Sequence, residues 1–394
     1  MKTFANTIRL LAITLVTVLF SVQAFAQQPV SQQQAPPSRP EMPDLSVSPP
    51  PPVTKANTPK PKPAQKAILD LFLKYEVVGM SVDHGEKDLD DFIFALIRNP
   101  EFPAKVNDIA VECGNSLYQP ILDRYIAGED VPLSEVRPVW RNTTQFQSCG
   151  LQSFYEEFFP LVRQINKNLP LEKRLRVLAG DPPIDWSKIK NHEDLKQYGG
   201  GDRNKSIASV MEKEVLSNHR KALMLFGTFH LFHGMEGTAV ETYEKDYPNV
   251  TYIIHDHQGF GQGVPSAEKY KDELEKRMAS WPVPSLVAIK GAWLADMDFA
   301  YFFTPIFLRG PDGLMHVGFP PGISSISKAV DGFLYLGPGD LLLGERMTAR
   351  ACMDQDYLAE LWRRGAIMSN GNGPNPLDDT LTLCRVKVSE GGSH

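Results

Sequence analysis

Short apolar runs alternate with longer amphipathic segments along most of the chain. Five runs have the length and composition of buried strands, at 77–82, 108–113, 174–179, 222–226 and 250–254. Apolar residues recur at helical spacing in five other segments, 89–98, 117–126, 134–140, 154–168 and 204–220. Strands that alternate with helices are typical of parallel sheets. The pattern therefore predicts an α/β domain, mainly a parallel sheet with helices on both faces.

The C-terminal part of the chain, from about residue 265, has a less regular pattern. It predicts a strand and turn at 331–338 and a final helix at 353–364. We expect this C-terminal extension to pack on the same domain and to complete one side of a cleft.

Polar side chains follow the ends of four predicted strands. They belong to His84, Glu112, Asp181 and His230, with His233 three positions further on. The carboxyl ends of parallel strands lie along one edge of an open sheet, so these side chains are expected to meet in one cleft. Structural roles remain open for each: Glu112 paired with an arginine or a backbone amide, Asp181 as a turn former, and His84 in a solvated loop. His233 could simply pack on the start of a helix.

Two further histidines flank Asp256 after the run 250–254. His255 and His257 would share one face of a continued strand, so both or neither would point into a cleft. A loop that begins at His255 would remove this constraint, and we expect surface roles for both. Surface positions are also predicted for three other histidines, His192, His219 and His316.

Imidazoles and carboxylates in one cleft allow three kinds of chemistry. A histidine oriented by a carboxylate can activate water as a general base. The same groups can bind a divalent metal that lowers the pKa of bound water. A histidine can also be the axial ligand of haem. The chain contains no G-x-S-x-G, P-loop or HExxH motif, so the enzyme classes that depend on them are not indicated.

The first 26 residues have the three parts of a secretory signal peptide. Lys2 and Arg9 supply positive charge, residues 10–20 form an apolar core, and Ala24 and Ala26 mark a cleavage site. The core is short for a membrane span, so we expect an exported protein, periplasmic or secreted, that is not integral to the membrane. Residues 27–63 contain 12 prolines and are predicted to form a disordered tether before a domain at 64–394.

The charge of the domain limits the partners that we expect, and the spacing of its cysteines suggests how they pair. The formal net charge is −6, and the predicted domain is more acidic still, because six of the 41 basic residues but only two of the 47 acidic residues precede residue 64. Such a domain argues against binding nucleic acid and leaves a small-molecule substrate or haem as the expected partner. The spacing of the four cysteines suggests the disulfides Cys113–Cys149 and Cys352–Cys384 among three possible pairings.

Several short motifs occur in a fixed order between residues 77 and 237. They are Val82-Asp83-His84-Gly85, Val111-Glu112, Tyr125-Ile126-Ala127-Gly128, Ala179-Gly180-Asp181, Arg203-Asn204 and Gly227-Thr228-Phe229-His230. In this order they resemble the motifs of the erythromycin-esterase/ChaN-like superfamily, which includes relatives of the Tiki and TraB proteins. The resemblance implies an α/β sheet domain with its site at one cleft, and it does not cover 265–394 in detail.

The resemblance indicates where the site lies, but it does not indicate which reaction takes place there. Esterase members activate water, Tiki-like members are metal-dependent proteases, and ChaN-like members are associated with haem. Together with the strand-end pattern it gives these catalytic candidates: His84, Glu112, His230, Asp181 and Arg203. The candidate cofactor ligands are His230, His84 and His233, and the candidate ligands of a divalent metal are His84, Glu112 and His230.

Two positions depart from the family pattern. Met80 stands where the first motif has a glutamate, and Asn204 stands where an Arg-Asp pair has its aspartate. The loss of a carboxylate partner weakens the orientation and basicity of a histidine. Three functions are therefore open: an exported hydrolase of an ester or related bond, with or without a metal; a haem- or metal-binding protein without catalysis; and a degenerate member that binds only a partner.

Overall fold

The computed structural model describes residues 45–82, 85–309, 315–319, 324–344 and 347–371, together with Asn375, Leu377 and Cys384. The predicted signal peptide, the tether up to residue 44, the candidate residue His84 and the side chain of His316 lie outside this part of the chain. Its strands are β1 (Lys62–Pro63), β2 (Val77–Ser81), β3 (Asp108–Asn115), β4 (Arg176–Asp181), β5 (Ala222–Phe226), β6 (Thr251–Asp256), β7 (Ser285–Ala288), β8 (Ile306–Arg309), β9 (Met315–Gly318) and β10 (Gly332–Tyr335).

Helices of very different lengths connect these strands. They are α1 (Ala64–Leu71), α2 (Lys87–Arg98), α3 (Phe102–Lys105), α4 (Gln119–Ala127), α5 (Leu133–Val136), α6 (Pro138–Arg141), α7 (Phe146–Cys149), α8 (Phe154–Lys167), α9 (Leu195–Tyr198), α10 (Arg203–Glu214), α11 (Thr228–Leu231), α12 (Ala239–Tyr243), α13 (Pro265–Glu268), α14 (Lys271–Met278), α15 (Ala349–Met353) and α16 (Gln355–Ser369). Among the helices in these ranges, none is long and apolar enough to cross a membrane.

Eight of the strands form one sheet in the order β1-β7-β10-β6-β2-β5-β3-β4. The six strands from β10 to β4 are parallel to one another. The other two, β7 and β1, pair antiparallel at the far side, and β8 pairs with β9 in a separate antiparallel ribbon. The predicted α/β class with a mainly parallel sheet is therefore confirmed. The C-terminal extension does more than pack on the domain, because it supplies β7 and β10 to the main sheet.

Alternate side chains of the central strands enter two separate apolar layers. On β5, Leu223 and Leu225 pack in one layer, while Met224 and Phe226 pack in the other. The first layer contains the buried faces of α1, α2, α4 and α8, and the second contains those of α10, α12 and α14. Burial on both faces explains why these strands read as continuous apolar runs in the sequence. Helices therefore cover both faces of the sheet, as predicted.

Several helices begin or end at residues other than the predicted ones. The segment 134–140 forms two short helices, α5 and α6, and the second begins at Pro138, which has no N–H to continue the first. Helix α10 ends at Glu214 instead of residue 220. A short 3-10 turn at Leu216–Asn218 follows it and ends at His219, which adopts a left-handed conformation with φ of 49°. In α8, Pro160 is accommodated inside the helix.

Two disulfides, Cys113–Cys149 and Cys352–Cys384, join segments that are 36 and 32 residues apart. Both predicted pairings are therefore confirmed. Disulfides of this kind are typical of proteins in oxidising compartments, in agreement with export. The first one matters for the site described below, because Cys113 follows Glu112 on β3.

The segment 45–63, predicted as part of the tether, lies along the domain. The Tyr301 hydroxyl donates to the Ser48 carbonyl at 2.8 Å, and Arg277 donates to the Pro51 carbonyl at 2.7 Å. Further on, Lys62 and Pro63 pair with Leu286 and Ser285 as strand β1. Ordered contacts with the domain thus begin before the predicted boundary at residue 64.

Candidate active site at the carboxyl edge of the sheet

Glu112 lies near the carboxyl end of β3 and is only 2% exposed. One carboxylate oxygen, Oε1, accepts a hydrogen bond from Arg203 Nη2 at 2.7 Å. The other, Oε2, accepts the backbone N–H of Gly227 at 2.5 Å. A buried carboxylate needs charged and hydrogen-bonding partners, and Glu112 has both.

Gly227 permits this close approach because it has no side chain. A Cβ atom at this position would lie 3.0 Å from Glu112 Oε2, closer than ordinary van der Waals contact. Glycine therefore lets the end of β5 bring its N–H group directly onto the carboxylate. The same residue is the N-cap of the short helix α11, on which His230 lies.

Arg203 bridges the ends of β3 and β4. Its Nη2 group donates to Glu112, and its Nε group donates to Asp181 Oδ1 at 3.0 Å. Helix α10 begins at Arg203 because the side chain of Asp202 caps it, accepting the Lys205 N–H at 3.2 Å. Burial lowers the pKa of Arg203, but the two carboxylates outweigh burial and raise it. The guanidinium is therefore a fixed positive charge at this edge.

Asp181 ends β4 and is completely buried. Thr144 holds it from the other side, since its N–H donates to Oδ2 at 2.6 Å and its hydroxyl donates to Oδ1 at 2.7 Å. Burial raises the pKa of Asp181, although Arg203 and Thr144 oppose this effect. Thr144 lies five residues before Cys149, so the Cys113–Cys149 disulfide ties the segment that holds Asp181 to the strand that carries Glu112.

His230 reaches this network from α11. Its Nε2 atom lies 3.4 Å from Glu112 Oε1, and its Nδ1 atom lies 2.6 Å from Asn204 Oδ1. The side chain is 12% exposed, so water can reach it from one side. A hydrogen bond between the hydroxyls of Ser81 and Thr228 fixes the start of α11 against the end of β2. His230 is thus positioned by β2, β5 and α10 together.

The tautomer of His230 follows from its neighbour. The Asn204 Oδ1 atom can only accept, so the Nδ1 atom of His230 carries a proton that it donates to this oxygen. In the neutral imidazole the Nε2 atom then has a free lone pair. This lone pair faces the side of the ring that Glu112 approaches.

The structure brings together four of the six candidate residues named from the sequence: Glu112, Asp181, Arg203 and His230. Sequence reasoning did not identify Thr144, and it gave Gly227 only as part of a motif. It noted Asn204 as the place where an Arg-Asp pair has its aspartate, and the structure places the Asn204 amide oxygen on His230 Nδ1. His84 follows the end of β2 in the sequence, and its role stays a prediction.

His233 belongs to a different part of the domain. Its Nε2 atom lies 3.0 Å from Asp331 Oδ2, and its Nδ1 atom lies 3.3 Å from Glu244 Oε2. Asp331 immediately precedes β10, and Glu244 accepts the N–H of Thr251 at the start of β6. These groups therefore lie toward the amino ends of the parallel strands, away from the edge that holds Glu112. Burial lowers the pKa of His233, but the hydrogen bonds to both carboxylates outweigh it and raise the pKa to about 9.

The predicted surface roles of His255 and His257 are wrong. Strand β6 continues to Asp256, and the two histidines are 2% and 1% exposed. Both rings pack on the second apolar layer, where His255 contacts Phe303 with ring centroids 4.4 Å apart. His257 Nε2 lies 2.8 Å from Glu275 Oε1, within hydrogen-bond distance. The pKa of His255 is lowered to about 3, mainly by burial and to a smaller extent by His257.

The described residues at this edge do not by themselves form a metal or haem site. Within the described ranges, no group of three or more His, Cys, Asp or Glu side chains is placed to hold a metal ion. His230 Nε2 and Glu112 Oε1 are two donors, fewer than the three that catalytic zinc takes from protein, and Arg203 already bonds to the same oxygen. The buried Glu112 carboxylate also lies 3.4 Å from the Nε2 atom that would have to bind a haem iron.

Comparisons with known proteins find matches among solved structures. No protein-family model matches the chain, and no curated protein matches it significantly. Among solved structures, a protein from Bacillus cereus is 14% identical with a TM-score of 0.45, covering 74% of this chain and 97% of its own. An erythromycin esterase, EreC, in its open conformation is 12% identical with a TM-score of 0.43, covering 68% of this chain and 92% of its own. ChaN of Campylobacter jejuni, solved with cofacial haem, is 14% identical with a TM-score of 0.28, covering 48% of this chain and 85% of its own. An erythromycin esterase and ChaN, which belong to groups named in the sequence resemblance, are thus among the solved structures that this chain matches.

Proposed function

We propose that the chain is an exported hydrolase that cleaves an ester or a related bond in a small molecule, with His230 as the base that activates water. The observation that carries this proposal is the unequal bonding of the two ring nitrogens. Nδ1 is hydrogen-bonded to Asn204 Oδ1 at 2.6 Å, while Nε2 has no such bond and lies 3.4 Å from the Glu112 carboxylate. A histidine with a fixed tautomer and a nearby carboxylate has the parts of a general base.

In the proposed reaction, His230 Nε2 takes a proton from water as the oxygen attacks the carbonyl carbon of the ester. The imidazolium that forms is stabilised by the negative charge of Glu112. When the tetrahedral intermediate collapses, the C–O bond to the alcohol breaks, and the imidazolium returns its proton to the departing alkoxide. The products are a carboxylic acid and an alcohol, and His230 is regenerated.

Arg203 has the charge and position to stabilise the oxyanion of that intermediate. Its Nε and Nη2 groups are occupied by Asp181 and Glu112, and its Nη1 group has no hydrogen-bond partner among the described residues. Donors that are already fixed in place need no reorganisation when negative charge develops. Glu112 has a second proposed role, which is to hold the Arg203 guanidinium in place. Asp181 shares this role, because Arg203 donates to both carboxylates. His84 stays a sequence-based candidate for the same cleft.

An ester panel with two matched histidine variants tests the proposal. We expect the purified protein to hydrolyse at least one short-chain or aromatic ester, and we expect His230→Ala to lower kcat/KM at least about 100-fold. His219→Asn is the control, because His219 is 87% exposed and lies at the end of the short turn after α10. Equal activity in wild type and His230→Ala, or no hydrolysis of any ester, would overturn the proposal.

The same preparations separate water activation from the alternatives. Elemental analysis and an absorption spectrum are recorded on protein purified without chelator. A stoichiometric transition metal that is lost in His230→Ala would indicate a metal-dependent reaction instead. A Soret band lost in that variant would indicate haem binding, and the reaction written above would then be wrong.

A further inference from the structure

A second recess lies at the opposite edge of the sheet from Glu112. It has a volume of about 660 Å³ and is bounded by α1 on one side and β7 on the other. Tyr75, which lines it, lies two residues before the start of β2, and Tyr252 is the second residue of β6. The recess therefore opens at the amino ends of the parallel strands. We call it the amino-edge groove.

Four lysines surround the amino-edge groove: Lys60, Lys62, Lys74 and Lys290. Within the described part of the chain, no carboxylate lies within the 4.0 Å salt-bridge distance of any of these four ammonium groups. The groove has one acidic residue among its described lining, Asp70, which is already paired with Lys66 at 2.6 Å and Lys105 at 3.1 Å. These two lysines lower the pKa of Asp70, so it remains ionised and neutralised.

The amino-edge groove gathers positive charge on an acidic molecule. The chain as a whole carries a formal net charge of −6, yet four lysines line one recess. Lys74 donates to the Tyr75 hydroxyl at 3.0 Å, and this bond, with a smaller effect from the charge of Asp331, raises the pKa of Lys74. Like charges held close together repel one another unless a counter-charge is present. The charge complement of the groove is therefore an anion.

The lining between the lysines is apolar. Leu71 and Ala67 face the groove from α1, and Leu286 and Ala288 face it from β7. Tyr75 and Tyr252 add a pair of rings with centroids 5.2 Å apart. An apolar lining under a charged rim fits a ligand with an apolar body and an ionised head.

The type of cation points to a carboxylate head. No arginine occurs among the described lining residues of the groove. Phosphate sites commonly use arginine forks or the N–H groups of a helix N-terminus, whereas lysine acts as a point charge. Spaced lysines therefore suit the single charge of a carboxylate better than the concentrated charge of a phosphate.

We propose that the amino-edge groove binds a small amphiphilic carboxylate, with its apolar body against Leu71, Leu286 and Ala288 and its charged head near Lys74 and Lys290. A volume of about 660 Å³ is in the range of small-molecule sites. Binding here is independent of the hydrolysis proposed above, because the two sites lie at opposite edges of the sheet.

Isothermal titration calorimetry with decanoate, below the concentration at which it forms micelles, tests this proposal. We expect decanoate to bind the full-length protein more tightly than decanol, which lacks the charge, and than acetate, which lacks the apolar body. We expect the double variant Lys74→Glu/Lys290→Glu to weaken decanoate binding at least about tenfold, and added salt to weaken it in the wild type. Lys196→Glu is the control, since this lysine is 75% exposed and lies on α9.

A variant that fills the groove tests whether decanoate binds inside it, without changing the charge of the groove. Ala288→Phe adds volume at an exposed position of β7 without changing the charge, so it should also weaken decanoate binding. Circular dichroism checks that each variant is folded. The proposal is overturned if decanoate does not bind, if it binds no better than decanol, or if the double lysine variant and Lys196→Glu bind it equally well.

Discussion

At the scale of single residues, His230 and His233 show how three positions in sequence separate two kinds of histidine. His230 has one nitrogen fixed by an amide oxygen and the other free beside a carboxylate. His233 has a carboxylate at each nitrogen, which favours the doubly protonated ring. In our proposal the first arrangement leaves a base available for chemistry. The second makes a half-buried ion pair that joins the end of α12 to the start of β10.

The pH dependence of stability should reveal the role of His233. Its pKa is about 9 in the folded protein and close to 6.5 in the unfolded chain, so below pH 6.5 both states hold the proton and the stabilisation is complete. Between these values unfolding releases the proton, so the stabilisation falls as pH rises and is lost above pH 9. We expect His233→Gln to lower the free energy of unfolding by about 1–3 kcal/mol at pH 6 and by much less at pH 10.

Urea unfolding at pH 6, 8 and 10 measures this difference. His219→Asn, at a histidine that is 87% exposed, serves as the matched control and should follow the wild type at each pH. If the destabilisation by His233→Gln were the same at pH 6 and pH 10, the ion pair with Asp331 and Glu244 would not be its cause.

The histidines of β6 show where residue-level prediction fails. Polar residues after an apolar run usually indicate a loop, yet the pairing of β6 with β10 continues through His255 and Asp256. The aromatic residues that bury the His255 ring, Phe303 and Phe333, lie 48 or more positions away in sequence. A pattern read along the chain contains no information about such distant packing.

At the scale of elements, Asn166 joins three parts of the first layer. It is 2% exposed and lies near the end of α8. Its amide donates to the Ile126 carbonyl at 3.2 Å and the Leu175 carbonyl at 2.8 Å, and its oxygen accepts the Leu175 N–H at 2.9 Å. The side chain thus links α8 to the end of α4 and to the approach to β4.

We expect Asn166→Ala to lower the free energy of unfolding by about 2–4 kcal/mol, because it leaves buried backbone groups without partners. Asn168→Ala, two residues further on and exposed to solvent, is the control and should change stability by less than about 0.5 kcal/mol. Chemical denaturation of both variants measures the difference. Equal effects would show that the three hydrogen bonds of Asn166 do not hold these elements together.

Element positions were predictable where apolar patterns are strong. The strands β2 and β5 lie within one residue of their predicted ends, because both are buried on two faces and bounded by polar residues. The start of α10 was also close to the prediction, while its end was not, since hydrophobic spacing does not show that a 3-10 turn at Leu216–Asn218 replaces the last turns of the expected helix. Glu112 and Asp181 could be predicted as site residues from their place at strand ends. Their bridging by Arg203, 91 positions after Glu112, could not be derived from strand-end spacing.

At the scale of the whole molecule, the parallel strands give the domain two chemically different edges. The carboxyl edge holds the network of Glu112, Arg203, Asp181 and His230, and the Cys113–Cys149 disulfide braces it. Toward the amino edge lie the His233 ion pairs and the lysine-lined groove. The placement of the proposed catalytic groups at the carboxyl edge follows the general rule for open α/β sheets.

Two carboxylates allow a direct comparison of the edges, because each contacts one histidine. Glu112 lies 3.4 Å from His230, and Glu244 lies 3.3 Å from His233. The decisive measurement is kcat/KM at pH 7 for one hydrolysed ester with Glu112→Gln and Glu244→Gln side by side. We expect Glu112→Gln to lose at least about 100-fold, and Glu244→Gln to stay within about twofold of the wild type while it is folded. Equal losses in the two variants, or a larger loss in Glu244→Gln, would contradict an active site at the carboxyl edge.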